Sequence, residues 1–291
     1  MEQYEAVVQM LALAAKLEDE GQLNLAKLLR AATDGLLRQA ARRRKPPADK
    51  AGLDGAIEQL FQALPSLGLS PELVLALQRS ADSIAHGRLS LFEDAPNPFV
   101  CRTCGYILLG EPADGCPTCG AHLLTFQQFP PVYWLGAFTP FQALAHLRQT
   151  PEQVAALLAG LSDAVLERQP ADGGWSIRHV ITHLRDAQLL VDYRIQLMLA
   201  EENPSLEAKA VFEWATQAGE RPQTALQIFD TYHLSRRDTL ARLERIPLAD
   251  WWRSGRHQEF GVVTILQQAS YFAMHEVTHL PQLEELKRGS A

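Results

Sequence analysis

Met274-His275-Glu276-Val277-Thr278-His279-Leu280 decides how the C-terminal half of this 291-residue chain is read. Side chains four apart on a helix lie one above the other, so His275 and His279 share a face and can grip one cation. Glu276 follows His275 directly and points about 100° away around the helix. The same HExxH spacing occurs in zinc proteases, where the Glu activates a metal-bound water. That chemistry needs a third ligand downstream. The short protease pattern places Gly three residues and His six residues beyond the second His, and here those positions hold Gln282 and Glu285. Only twelve residues follow His279, so a third ligand is expected from upstream.

Upstream lies Gly174-Trp175-Ser176-Ile177-Arg178-His179-Val180-Ile181-Thr182-His183-Leu184-Arg185-Asp186, a turn into a helix with Ser176 as N-cap and His on consecutive turns. Beyond Thr139-Pro140 the apolar spacing predicts helices near 141–168, 176–201, 222–246 and 264–288, broken at Asn203-Pro204, Arg221-Pro222 and Ile246-Pro247. Four helices of that length predict an antiparallel four-helix bundle. With Gly-Trp-Ser opening the second helix, His183-Leu184-x-Asp186 within it, and Phe260-Gly261-x-x-Thr264 leading into His275-Glu276-x-x-His279-x-x-Gln282-Leu283, residues 139–288 resemble the DinB/YfiT-like metal-binding bundles. The resemblance implies a metal triad, also catalytic, of His183, His275 and His279, holding a divalent ion such as zinc, nickel or iron. It implies S-transfer with a low-molecular-weight thiol, or hydrolysis of a small molecule. Three neutral imidazoles leave a coordination position open for water or substrate.

The neighbouring residues carry lesser expectations. His179 is not assigned by the resemblance and is expected beside the site or at the surface. Glu276 either supports a ligand or pairs with solvent or a neighbouring helix. His233 and His257 are candidates for a pocket wall, and Trp251-Trp252-Arg253 for its roof or for core packing. Pro281 is expected to bend the last turns.

All four cysteines fall in Phe99-Val100-Cys101-Arg102-Thr103-Cys104-Gly105-Tyr106 and Gly115-Cys116-Pro117-Thr118-Cys119-Gly120, two CxxC pairs separated by eleven residues. That spacing predicts a tetrathiolate metal site of Cys101, Cys104, Cys116 and Cys119 rather than two disulfides. Gly105 and Gly120 let each turn aim N–H groups at sulfur. The motifs resemble the rubredoxin-like module that ends rubrerythrins. By that resemblance the ion is iron, capable of one-electron chemistry, while zinc suits the same four sulfurs and is inert; spacing does not separate them. A redox or sensor protein working through a redox partner protein is therefore the competing function.

The first ninety-odd residues read as a small helical bundle, with helices before Arg42-Arg43-Arg44-Lys45 and Pro46-Pro47, then near 53–64 and 71–86. Rubrerythrins also place a helical domain before the module, but its di-iron ligands are absent here: residues 1–98 hold no Glu-x-x-His, and His86 is the only histidine before residue 99. The domains expected are 1–95, 96–128 and 129–291. A net charge of -7 argues against nucleic-acid binding, and the acid-bearing N-terminal stretch resembles neither a signal peptide nor a membrane span. A cytoplasmic homodimer is the expected form.

Overall fold

The computed structural model describes residues 3–45, 50–170, 173–207 and 223–289. The expected breaks at Pro46-Pro47 and Arg221-Pro222, and Asp172 of the turn before Ser176, lie outside the described residues. No described helix is long and apolar enough to cross a membrane. The chain divides into two compact units, Met1–Arg88 with Phe99–Gln127, and Leu89–Pro98 with Gln128–Ala291.

The first unit begins with a helical hairpin, α1 (Gln3–Asp19) on α2 (Leu23–Arg42). Gly21 turns the chain at φ 75°, a left-handed conformation that glycine adopts without a Cβ clash. Arg30 Nε donates to Glu18 Oε1 at 2.8 Å and ties the two helices together. Two further helices, α3 (Lys50–Ala63) and α4 (Pro71–Ala85), follow. Ser70 caps α4 by accepting the Leu73 N–H, with Pro71 at the first position, as the sequence predicts. His86 ends α4 and lies 3.2 Å from Asp82, a local helix-end contact. The cysteine segment forms a small sheet in the order β2-β1-β3, from Pro98–Cys101 (β1), Ile107–Leu109 (β2) and Phe126–Gln128 (β3).

In the second unit the single helix expected over 141–168 is two. It consists of α5 (Pro140–Leu158) and the short α6 (Asp163–Glu167), parted where Gly160 adopts φ 77°. Next come α7 (Ile177–Ala200), α8 (Ala225–Leu243) and α9 (Ile265–Arg288). Each long helix starts with a capping box: Thr139 with Gln142, Ser176 with His179, Thr224 with Gln227 and Thr264 with Gln267. In each, two otherwise orphaned backbone N–H groups are satisfied reciprocally, which fixes where the helix begins. Helix α9 packs on α5 and α7, and α8 packs on α7 and α5, so α8 and α9 face each other across a diagonal of a four-helix bundle.

The connection between α8 and α9 holds strands that the sequence reading did not foresee. Ser254–His257 (β5) pairs antiparallel with Gly261–Thr264 (β6) and parallel with Ser205–Leu206 (β4). Gly261 sits at φ 72°, and a Cβ there would come within 2.7 Å of the Phe92 ring, so only glycine fits. The Phe92 N–H donates to Gln258 O at 2.8 Å and holds the turn.

The bundle interior is two apolar clusters with a polar layer between them. One holds Leu147, Val191, Leu243 and Ala273, the other Val154, Leu184, Tyr232 and Leu283. On α8 and α9 the residues between are Arg236, 1% exposed, and Glu276, 0% exposed. Both guanidinium Nη atoms donate to the Glu276 carboxylate, one at 2.9 Å. Arg236 Nε donates to Gln188 Oε1 on α7 at 2.6 Å, and Nη1 to the Leu147 carbonyl on α5 at 3.0 Å. That carbonyl is free because Pro151, four residues on in α5, has no N–H to offer it. One side chain thus bonds to all three other helices.

Breaking a buried ion pair from one side strands the other charge, at about 3–5 kcal/mol. Glu276→Gln is expected to lower unfolding free energy by about that much in urea titrations, whereas Arg236→Met combined with Glu276→Leu costs far less than the sum of the single changes.

Candidate metal centres

The stripe His183, Ala187, Leu190, Arg194 runs along one face of α7, and Tyr271, His275 and His279 rise turn by turn on α9. Because α7 and α9 are neighbours, these faces meet. His183 Nε2 lies 3.0 Å from His275 Nε2, and His279 Nε2 lies 3.3 Å from the same atom. A tetrahedral ion with nitrogen ligands at about 2.0–2.1 Å spaces them about 3.3–3.4 Å apart, close to what is seen. His279 Nδ1 lies 2.9 Å from Gln282 Oε1, which accepts its proton and leaves the Nε2 lone pair turned to the other rings. Burial holds His183 down at about 4, reinforced by His279, and holds His275 down at about 3, reinforced by His183 and His279. Both rings stay neutral, the form that binds metal. Trp175 covers the group, its ring 5.2 Å from that of His183 and 6.5 Å from that of His279.

The surrounding expectations divide. His179 is the capping-box partner of Ser176: its Nδ1 accepts the Ser176 N–H at 3.1 Å, so it sits at the helix start and not in the triad. Glu276 faces Arg236 in the bundle centre, the neighbouring-helix alternative, and is not positioned to work on a substrate. His233 is exposed on α8 and lines no wall of the triad cavity. Trp251 packs in the core, Trp252 is exposed, and Arg253 donates to the carbonyls of Met198 and Glu201 at the end of α7, so none of the three roofs the site. Helix α9 continues through Pro281 to Arg288.

A cavity of about 140 Å³ opens beside the triad, lined by His183, His275, Arg194, His257, Glu259 and Tyr271 among apolar side chains. His257 is thus in the wall, as its candidacy required, but it comes from strand β5. Arg194, Glu259 and Tyr271 escaped the sequence reading. Only the α7 stripe at 183, 187, 190 and 194 gave a signal for Arg194.

The cysteine group has its own geometry. Cys101 Sγ lies 3.8 Å from Cys119 Sγ, and Cys104 Sγ 3.6 Å from Cys116 Sγ. Four sulfurs at about 2.3 Å from one ion lie about 3.8 Å apart, so the fit is good. Gly105 and Gly120 adopt φ 79° and 72° just past the second Cys of each pair. Burial alone would raise the Cys101 thiol, but backbone N–H groups of Cys104 and Thr103 and the sulfurs of Cys116 and Cys119 bring it down to about 6. The N–H of Tyr106 favours the Cys104 thiolate, yet burial and the other three sulfurs push that thiol up to about 12. Four thiolates side by side need a cation to balance them.

Residues 146–283 match the DinB superfamily. The C-terminal half carries a DinB superfamily domain. The chain is 28% identical over 151 residues to a protein of Geobacillus thermodenitrificans named "Putative metal-dependent hydrolase", a match covering 50% of this chain and 83% of that protein. A Bacillus licheniformis protein of the same description is 26% identical over 144 residues, covering 47% of this chain and 80% of its own. Among solved structures, that of YfiT from Bacillus subtilis, described as "a probable metal-dependent hydrolase with an unusual four-helix bundle topology", is similar with a TM-score of 0.47 and 19% identity, covering 55% of this chain and 92% of that one. The matched stretch begins after the cysteine segment, so the Cys group lies outside it.

His257 gives the metal-free chain a pH dependence. Burial lowers its folded value from 6.5 to about 3, with Arg194 adding to the effect. The unfolded chain therefore binds a proton that the fold refuses between those values, and stability is lost as pH falls below about 6.5. Urea midpoints are expected to fall from pH 7 to pH 4, with a shallower slope in His257→Gln; equal slopes would contradict a neutral buried ring.

Proposed function

We propose that the DinB domain is a metal-dependent enzyme acting on a small molecule, with His183, His275 and His279 as the ligands of one divalent ion. What carries this reading is the convergence of three imidazoles from two helices beside a cavity. The ion, when bound, supplies a Lewis acid and an activated water or thiol. The chain's own residues do the rest. Gln282 fixes the ring of His279, Trp175 keeps bulk water from one side, and the cavity lined by Leu190, Phe260 and Phe272 admits the substrate. Hydrolysis is favoured over S-transfer by the relatives' names.

We also propose that Cys101, Cys104, Cys116 and Cys119 hold a second ion, zinc or iron, which organises the segment around β1–β3. The redox alternative draws on one observation: Cys104 and Cys119 are exposed, which gives an iron centre there an open edge for electron exchange.

Elemental analysis and visible spectra of wild type, His183→Ala and Cys101→Ala separate these readings. Two ions per chain are expected, with one lost in each variant, and any hydrolytic turnover disappears in His183→Ala but persists in Cys101→Ala. A red protein bleached by reductant assigns iron to the sulfurs. Turnover that survives loss of the histidine-bound ion would rule out the mechanism.

A further inference from the structure

The cavity beside the triad holds more hydrogen-bond donors than its metal-binding role requires. Arg194 is 4% exposed, yet it forms no ion pair with a described carboxylate. Its Nη2 donates to the Glu207 backbone carbonyl at 2.7 Å, while its Nε is buried with no hydrogen-bond partner among the described residues. A buried guanidinium edge left unpaired is costly, and it lines the wall of a cavity. Burial pulls its pKa down to about 10, opposed only by Tyr271 and Glu259.

Two neighbours add donors. His257 Nδ1 accepts the backbone N–H groups of Glu259 at 3.1 Å and Phe260 at 3.2 Å. Two incoming donors fix the ring as the tautomer with its proton on Nε2, so the cavity wall carries a neutral N–H. Tyr271 stacks on His275, with centroids 5.9 Å apart and planes at 16°, and its hydroxyl has no protein partner among the described residues. A phenol hydroxyl there can donate into the cavity that the ring lines.

We propose that this cavity recognises a carboxylate on a small substrate, held by the Arg194 guanidinium, the His257 Nε2–H and the Tyr271 hydroxyl, while the substrate's reacting group lies at the histidine triad. This deepens the enzyme reading and rests on it for the position of the reacting group. Among the described residues Glu259 is the one carboxylate in the cavity wall; its own pKa is raised by burial and held back by Arg194. Its charge disfavours a phosphate dianion more than a carboxylate, and a cavity of about 140 Å³ suits the smaller group. The apolar walls from Ala187, Leu190 and Phe272 strengthen each polar contact by excluding water.

The test titrates the full metal-loaded chain by calorimetry with succinate, its neutral analogue succinamide, and inorganic phosphate. Succinate is expected to bind at least about tenfold more tightly than the other two. Arg194→Gln should lose at least about tenfold in succinate affinity and Tyr271→Phe about threefold, with helical circular dichroism unchanged. Equal binding of succinate and succinamide, tighter binding of phosphate, or full succinate affinity in a folded Arg194→Gln chain would each overturn the proposal. If Arg194→Gln does not fold, Tyr271→Phe and the three-probe comparison on wild type decide. Elemental analysis of the same samples keeps the two readings apart. A chain with no ion at the histidines that still selects succinate through Arg194 sinks the metal reading and supports this one; a chain that holds the ion and selects nothing does the reverse.

Discussion

A guanidinium and a carboxylate sealed from water, Arg236 and Glu276, join opposite corners of the C-terminal bundle. Charges in that position are tolerable only when every donor and acceptor is matched, and here they are matched from all four helices. The pair therefore fixes rotation as well as contact. Turning α9 about its axis enough to swing His275 and His279 away from α7 would pull Glu276 out of the bundle centre and leave Arg236 unpaired. The Glu of the HExxH pattern is thus the anchor that aims the two histidines.

The helix starts complete the alignment. Four capping boxes set the first turn of α5, α7, α8 and α9, and the N-cap Thr264 is itself the last residue of strand β6. The strand pair and the last helix are consequently one continuous piece, with His257 and Phe260 at one end and His275 further along. Gly261 allows the tight approach of Phe92 that holds the turn in place. Rigid supports of this kind keep a site's donors in fixed positions, which a loop would not do.

The two candidate metal centres differ in kind. Four sulfurs saturate a tetrahedral ion and leave no position for a substrate, whereas three imidazoles leave one vacant. The sulfur group sits in tight turns whose backbone N–H groups stabilise thiolate, and its geometry is local to a segment of about twenty residues. The imidazole group is non-local, with His183 ninety-two residues from His275 along the chain. Burial, which only packing supplies, keeps His183 and His275 neutral.

Local spacing was enough for the features whose physics is local. The two CxxC turns, the shared face of His275 and His279, the Ser176 and Ser70 caps, and the predominantly helical fold all follow from periodicity and turn chemistry. The third histidine came from a family resemblance, and geometry then brought it within 3.0 Å of its partner. Other features needed the packed chain. The roles of His179 as cap and Glu276 as buried ion-pair partner, the break after Leu158, the strands between α8 and α9, and the unpaired edge of Arg194 depend on which residues stand opposite. A sequence states the face on which a side chain lies, because helical rise and rotation are constant; it does not state what that face meets, because burial and pairing are set by elements distant in the chain.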